Sequence, residues 1–324
     1  MAHSNHEILQ LFESALAQMN MPEEPELLYS PIIYSMSGGG KRLRPVLLLI
    51  TLEAFGGNID EAMPAAMAVE IFHNFTLLHD DIMDNADVRR GKPSVFAKWG
   101  GNVALLSGDA MLITAYKHLA RIPASVLPRV MSIFSDMALE VCEGQQYDMD
   151  FESMERVSTV DYMQMIERKT SALLSGSAMI GATMAGASED DIKKIYRFAT
   201  ELGLAFQLQD DVLDSFGDMA LGKKIGGDIL EGKKTFLMVQ ALNRASEQEY
   251  EILTSTHLRK DLSDEEKVTI VKDLYNKFDV KRIAEQQIEL RFERALAVLD
   301  TLSIAGERTE SLAEFARNLM GRKK

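Results

Sequence analysis

Six aspartates in this 324-residue chain fall into two copies of one pattern, Leu78-His79-Asp80-Asp81-Ile82-Met83-Asp84 and Leu208-Gln209-Asp210-Asp211-Val212-Leu213-Asp214, about 130 residues apart. Helical spacing puts Asp80 one turn from Asp84 and Asp210 one turn from Asp214, with Asp81 and Asp211 turned about 100° away. Both forks have largely apolar flanks, Phe75 to Leu78 with Ile82-Met83 and Leu204 to Phe206 with Val212-Leu213, which draw the acids toward a core. Like charges about 4 Å apart repel by roughly 4 kcal/mol at an effective dielectric of 20. Such forks therefore protonate or recruit cations. Oxygen donors without thiolate select Mg²⁺ or Mn²⁺, and Mg²⁺ keeps positions open for water and substrate phosphate. Asp80, Asp81, Asp84, Asp210, Asp211 and Asp214 are thus candidate metal ligands, the alternative being two solvated acidic helix faces. Glu70-Ile71-Phe72-His73 has the spacing of a di-iron ligand pair, but no other histidine follows a Glu by three residues, so that centre lacks its second half.

Cations stand near both forks. Ser37-Gly38-Gly39-Gly40-Lys41-Arg42-Leu43-Arg44-Pro45 places three basic residues after three glycines, where backbone amides and planar guanidinium groups suit an anion. It is not a nucleotide-binding Walker A loop, since Gly40-Lys41 is followed by Arg, and a solvated basic turn is the alternative. Arg89 and Arg90 follow Asp84 by five and six residues, where they can grip a polyanion with the metal or simply cap the acidic helix. Lys169-Thr170 precedes a run of small residues, and Lys223 and Lys233 flank a glycine-rich stretch after the second fork. His73, seven residues before Asp80, lies on nearly the same helix face about 10 Å away, as a second anion donor or as a core histidine.

These residues must be held by helices. Apolar positions recur at helical spacing in Ile8 to Leu16, Val130 to Val141 and Ile195 to Leu202, and sustained strand-like alternation is scarce. All eight prolines lie at or before Pro128, and Lys233 to Ala305 has neither Pro nor Gly, so the fold class is all-α with roughly ten or more helices. Breaks are expected at 22–31, 37–40, 56–60, 91–93, 100–101, 123–128 and 217–232. With no linker-like composition shift, residues 1–324 read as a single domain. The uncharged run Thr170 to Ser188 carries too many Ser, Thr and Gly for a membrane span and reads as a closely packed buried helix, so no transmembrane segment is expected. A net charge of −14 argues against a sequence-independent grip on nucleic acid. One cysteine, Cys142, excludes a disulfide framework, and the N-terminal residues lack a signal-peptide pattern; a cytoplasmic location is expected.

The set Gly39-Gly40-Lys41-Arg42-Leu43-Arg44-Pro45, Glu70-x-x-His73, His79 to Asp84, Arg89-Arg90-Gly91-Lys92-Pro93, Lys169-Thr170, Phe206 to Asp214, Gly222-Lys223 and Asp228-x-x-Glu231-Gly232-Lys233-Lys234-Thr235 resembles the trans-isoprenyl diphosphate synthases (polyprenyl synthetases), in that family's order, from about Ser30 to Lys234. The resemblance implies an all-α isoprenoid-synthase helical bundle with a central cavity, usually a homodimer, that joins isopentenyl diphosphate to an allylic diphosphate with Mg²⁺. It makes Asp80, Asp84 and Asp210 metal ligands, with Asp81, Asp211, Asp214 and Asp228 in support. It gives the allylic diphosphate to Arg89, Lys169, Lys223 and Lys233, isopentenyl diphosphate to Lys41, Arg44, His73 and Arg90, and places Thr170 and Gln207 beside the reacting carbons. Phe75, five residues before Asp80, with the smaller Thr76 beside it, would form the floor that limits the growing chain. Within the family this leans toward a C20 product, geranylgeranyl diphosphate, with C15 close behind. A non-catalytic regulatory subunit of the same fold and a terpene cyclase are the rival readings; the intact second Asp fork and the Lys41, Arg44 and His73 set count against them.

Overall fold

Capping chemistry written into the sequence fixes many of the helix starts. Ser4, Ser158, Ser246 and Ser263 each accept a hydrogen bond from the N–H three residues on, while Glu7, Asp161, Glu249 and Glu266 reach back to the cap backbone. First-turn donors that would otherwise be orphaned are satisfied by this exchange. The computed structural model describes residues 3–217 and 225–321. Helices α1 (Asn5–Ala17), α2 (Glu26–Met36), α3 (Leu43–Ala54) and α4 (Ile59–Met83) lead to a minimal hairpin, β1 (Val88–Arg89) and β2 (Lys92–Pro93). There follow α5 (Val95–Trp99), α6 (Gly101–Leu119), α7 (Leu127–Ser153), α8 (Thr159–Ile166), a π-helical turn at Glu167–Ser171, α9 (Ala172–Met184) and α10 (Glu189–Phe216). The rest of the described chain forms α11 (Gly227–Glu231), α12 (Phe236–Leu242), α13 (Glu247–Ser255), α14 (Asp264–Lys277), α15 (Val280–Leu299) and α16 (Gly306–Met320). The all-α expectation holds, and no described helix is long and apolar enough to cross a membrane.

The chain gathers into two compact units. One comprises the described parts of Met1–Asp136, Gly176–Tyr196 and Leu302–Phe315; the other comprises those of Met137–Ser175, Arg197–Thr301 and Ala316–Lys324. In the first, α4 is the central element. Ala62, Ala65, Ala66, Met67, Ala68, Val69, Ile71 and Phe72 bury almost every face of it, and it packs chiefly on α6 and α3. Such nearly all-round burial explains why the apolar residues of α4 do not keep to one stripe. The small residues of α9 let it approach closely: a methyl on Gly181 would lie 2.2 Å from the Leu48 carbonyl oxygen of α3. In the second unit, Tyr162, Met165 and Ile166 of α8, Leu204, Leu208 and Val212 of α10, and Phe236 to Val239 of α12 share one apolar core.

Two local differences from the sequence reading have physical causes. The break expected at 22–31 ends at Pro25, and Pro31 sits buried inside α2, where packing on α6 offsets the backbone donor that proline lacks. The expected break at 91–93 is a two-residue hairpin turn, with Arg90 at φ 52° and Gly91 at φ 74° and pairing of Val88 with Pro93 and Arg89 with Lys92. Positive φ at both turn residues matches the twist of a tight hairpin.

Candidate active site

The first fork ends α4, with Asp84 as its C-cap. Its three carboxylates have different surroundings: Asp80 is half-buried, Asp81 buried and Asp84 exposed. The hairpin delivers Arg89, whose Nε donates to Asp81 Oδ1 at 2.7 Å and whose Nη2 donates to Asp80 Oδ2 at 3.2 Å. Burial raises the Asp81 pKa, with the Arg89 hydrogen bond working against the rise. Arg90, next along the turn, donates to the Gly39 carbonyl and so ties the hairpin to the glycine-rich loop. An open cleft lies here, lined by Tyr34, Asn74, Leu77, Asp81, Arg89 and Arg90 among others.

Arg44 and His73 meet at 3.2 Å between Nη1 and Nε2. Burial, then the charges of Arg44 and Arg90, depress the His73 pKa well below its ordinary value, so the imidazole is neutral and its facing nitrogen accepts. Lys41 is exposed. Arg42 departs from the reading that grouped it with its neighbours as an anion binder. It is buried, in the left-handed region at φ 48°, and its Nη1 pairs with Glu70 Oε1 at 2.7 Å while Nε reaches Glu13 at 2.9 Å. Asn74 completes the set by donating to Glu70 Oε1 at 3.0 Å. The guanidinium that looked available in sequence is therefore an internal clamp where the loop carrying Lys41 runs into α3, which carries Arg44.

Phe75 belongs to an aromatic series in the same unit. Its ring lies 5.5 Å from Phe72 and 4.6 Å from His79; Phe72 meets Phe134 at 5.4 Å, and Phe134 meets Tyr116 at 5.3 Å. Thr76 turns its hydroxyl back to the His73 carbonyl at 2.8 Å.

In the second unit the fork lies on α10. Asp210 and Asp214 are half-buried, and Asp211 is buried. Asp211 Oδ1 accepts from Gln207 Nε2 at 3.0 Å, and Oδ2 accepts from the Phe236 N–H at 3.1 Å and from the Tyr162 hydroxyl. Burial pushes its carboxyl up to about 6 against these three donors. Asp214 Oδ2 accepts from the Asp228 N–H at 3.1 Å, and Asp228 itself is pushed up to about 8 by burial and by the charges of Asp214 and Asp211. Buried acids crowded by other acids gain from a counter-cation. The donor set is all oxygen, which fits Mg²⁺. Among the described residues no three His, Cys, Asp or Glu side chains form a ready-made cage; Mg²⁺ typically takes one or two carboxylates and completes its shell with water and phosphate.

The π-helical turn carries Lys169 and Thr170. Lys169 Nζ lies 2.5 Å from Asp148 Oδ2, and the Thr170 hydroxyl donates to Gln207 Oε1 at 2.8 Å. Widened turns of this kind are frequent at functional sites. Here α7 makes room for it, because any Cβ on Gly144 would sit 2.2 Å from the Lys169 nitrogen. Lys233 pairs with Glu231 at 2.9 Å. Lys223 lies outside the described residues. Tyr162 and Asp148 carried no sequence signal, since their partners Asp211 and Lys169 lie 49 and 21 residues away on other elements.

The family model for polyprenyl synthetases matches residues 25–276, a span that includes both forks, the glycine-rich loop and the π turn. This chain belongs to the polyprenyl synthetase family. It is 42% identical over 236 residues to a geranylgeranyl diphosphate synthase of Methanosarcina mazei, covering 72% of each chain. A short chain isoprenyl diphosphate synthase of Methanocaldococcus jannaschii is 42% identical over 246 residues, 75% of each chain. The crystal structure of a geranylgeranyl pyrophosphate synthase superposes with a TM-score of 0.94 at 42% identity, covering 99% of this chain and 100% of the other. With these relatives the reaction class is prenyl transfer of the short-chain type, and neither rival reading gains support.

Proposed function

We propose that this polyprenyl synthetase condenses isopentenyl diphosphate with allylic diphosphates to make geranylgeranyl diphosphate, a C20 product, with the C15 farnesyl diphosphate as the preceding step. The observation that carries the reading is the first fork: Asp80 and Asp84 stand one turn apart on α4, and Arg89 reaches Asp80 from the hairpin, a donor set suited to a metal-bound diphosphate. Asp80, Asp84 and Asp210 would hold Mg²⁺, with Mn²⁺ as a substitute, and Asp81, Asp211, Asp214 and Asp228 would support them. When bound, the metal neutralises charge that develops on the departing diphosphate. Arg89, Lys169, Lys223 and Lys233 bind the allylic diphosphate; Lys41, Arg44, His73 and Arg90 bind isopentenyl diphosphate.

The allylic C–O bond breaks with both electrons leaving on the diphosphate. The isopentenyl double bond attacks the resulting cation, and the proton lost from the new C–C skeleton passes to the departed diphosphate. The protein's part is to bind, to orient and to keep water from quenching the cation. The Lys169 carbonyl, Gln207 and Thr170 supply dipoles beside the reacting carbons, and Phe75 with Thr76 sets the floor of the growing chain. We further read the chain as one catalytic domain acting as a homodimer in the cytoplasm; that each compact unit is built from three separate stretches of sequence supports its folding as a whole. The test is purified protein with Mg²⁺, labelled isopentenyl diphosphate and dimethylallyl, geranyl or farnesyl diphosphate, followed by product chain analysis. A C20 end product that disappears on chelation and returns with Mg²⁺ is expected; a C15 or C25 end product overturns the length reading, and turnover in chelator overturns the metal.

A further inference from the structure

A chain of hydrogen bonds runs from the core of the second unit to the π turn. Tyr162, 2% exposed, donates to Asp211 Oδ2. Asp211 Oδ1 accepts from Gln207 Nε2 at 3.0 Å, and Gln207 Oε1 accepts from the Thr170 hydroxyl at 2.8 Å. Each link constrains the next. The Phe236 N–H can only donate, and it shares Asp211 Oδ2 with the tyrosine hydroxyl, so that oxygen is fixed as an acceptor and the carboxylate turns Oδ1 to the Gln207 amide. An acceptor at Oδ1 forces Gln207 to present its NH₂ there, because an amide oxygen would face an oxygen. The other end of Gln207 is then its oxygen, which has no proton to give, so the Thr170 hydroxyl must give its own. With its proton directed at Gln207, Thr170 has its lone pairs left for whatever lies on its open side.

We propose that Tyr162 is a positioning residue that, through Asp211 and Gln207, fixes the Thr170 hydroxyl as an acceptor toward the allylic cation. The inference rests on the reading above that Thr170 sits beside the reacting carbons. Without the tyrosine hydroxyl the carboxylate keeps only the Phe236 N–H on Oδ2 and can swing out of line with Gln207; an amide no longer held at Oδ1 is free to turn over, after which Thr170 would accept from it and point its proton at a positive centre. Orientation of a dipole matters most where charge develops in a water-poor site.

The experiment is a double-mutant cycle on the full-length enzyme with Mg²⁺, using Tyr162→Phe, Thr170→Val and the pair. Tyr162→Phe is expected to lower kcat about tenfold, the scale of one lost hydrogen bond to a charged group, with KM for both diphosphates within about twofold, a kinetic split a merely structural loss would not give. Thr170→Val lowers kcat as well, Thr170→Ser restores most of it, and adding Tyr162→Phe to Thr170→Val costs little more. Multiplying losses would show that Tyr162 acts independently of Thr170 and would overturn the relay. A full kcat in Thr170→Val would instead remove the placement of Thr170 on which the relay depends. Should Tyr162→Phe fold poorly, Gln207→Leu in the same cycle tests the same chain from its middle, with additivity again the overturning result.

Discussion

Replacing Arg42 by Met tests whether that guanidinium is an internal clamp or a ligand for diphosphate. Its side chain is 3% exposed and that of Glu70 2%, so no solvent screening discounts the pair. Removing the cation leaves the Glu70 carboxylate buried with the Asn74 amide as its side-chain donor and strips the Met36 carbonyl of the Arg42 Nη2 donor at 3.1 Å. Breaking a buried pair from one side costs about 3–5 kcal/mol. Glu13, 46% exposed, returns to water and adds little. At roughly 2 °C per kcal/mol for a chain of this size, the melting temperature falls by about 6–10 °C. The Arg42→Met/Glu70→Leu pair removes both charges at similar volume, and Asn74 keeps its bond to the Glu70 backbone carbonyl at 2.9 Å. Stability should then recover to within about 1–2 kcal/mol, the cost of the unsatisfied Met36 carbonyl. Met occupies position 42 in both variants, so the left-handed backbone cancels from the comparison. Thermal unfolding followed by circular dichroism reads the stabilities, and steady-state kinetics reads KM for isopentenyl diphosphate. A double variant as unstable as the single one refutes the ion-pair argument; a stable double variant whose KM stays high shows that Arg42 binds substrate.

Phe75→Ala removes the ring between Phe72 and His79 and should lengthen the product beyond C20 at a temperature where the variant stays folded, read by chain analysis of the extracted product; an unchanged length places the floor elsewhere. His73 gives a pH dependence with a definite sign. Its folded pKa lies well below its ordinary value through burial and the charges of Arg44 and Arg90, so below about pH 6.5 the unfolded chain binds more protons than the native one. The stability that neutral His73 contributes is fully present above that pH and is lost as pH falls beneath it. His73→Gln should flatten the acid limb of a stability-against-pH curve; an unaltered slope would mean that His73 protonates freely in the folded protein.

Helix content was legible because its signals are local. Apolar periodicity, the absence of Pro after Pro128 and the absence of Gly from Lys233 to Ala305 each act over a few residues, and the elements formed accordingly. Asp80, Asp84, Asp210 and Asp214 were legible for the same reason, since the i, i+4 spacing decides which carboxylates share a face. What sequence could not distinguish was the employment of neighbouring cations. Lys41, Arg42 and Arg44 look alike in the chain, yet Arg42 is the one locked into a buried ion pair, because Glu70, 28 residues away, meets it in the core. The same holds for Tyr162, whose role depends on a carboxylate 49 residues on.

The two forks share a further property that their spacing foreshadowed. Turned about 100° from its neighbours, the middle carboxylate of each is buried and engaged by the protein itself, Asp81 by Arg89 and Asp211 by Gln207, Tyr162 and Phe236. The offset thus separates two tasks within one short motif. On the function proposed above, the outer pair keeps the one-turn spacing that would let two carboxylates serve one ion cluster, even though Asp80 also meets Arg89 and Asp214 the Asp228 N–H, and the middle acid braces the groups around it: the hairpin arginine in one unit and the amide held against Thr170 in the other. Asn at position 81 or 211 would keep the size of the side chain but present an amide where only acceptors are needed, so each substitution should disturb its own bracing contacts while leaving the outer carboxylates intact. Metal titration by calorimetry with inorganic pyrophosphate present separates the two tasks: Asp81→Asn and Asp211→Asn should retain ion binding that Asp80→Asn and Asp210→Asn lose, and equal losses in all four would show that the middle acids are ligands after all.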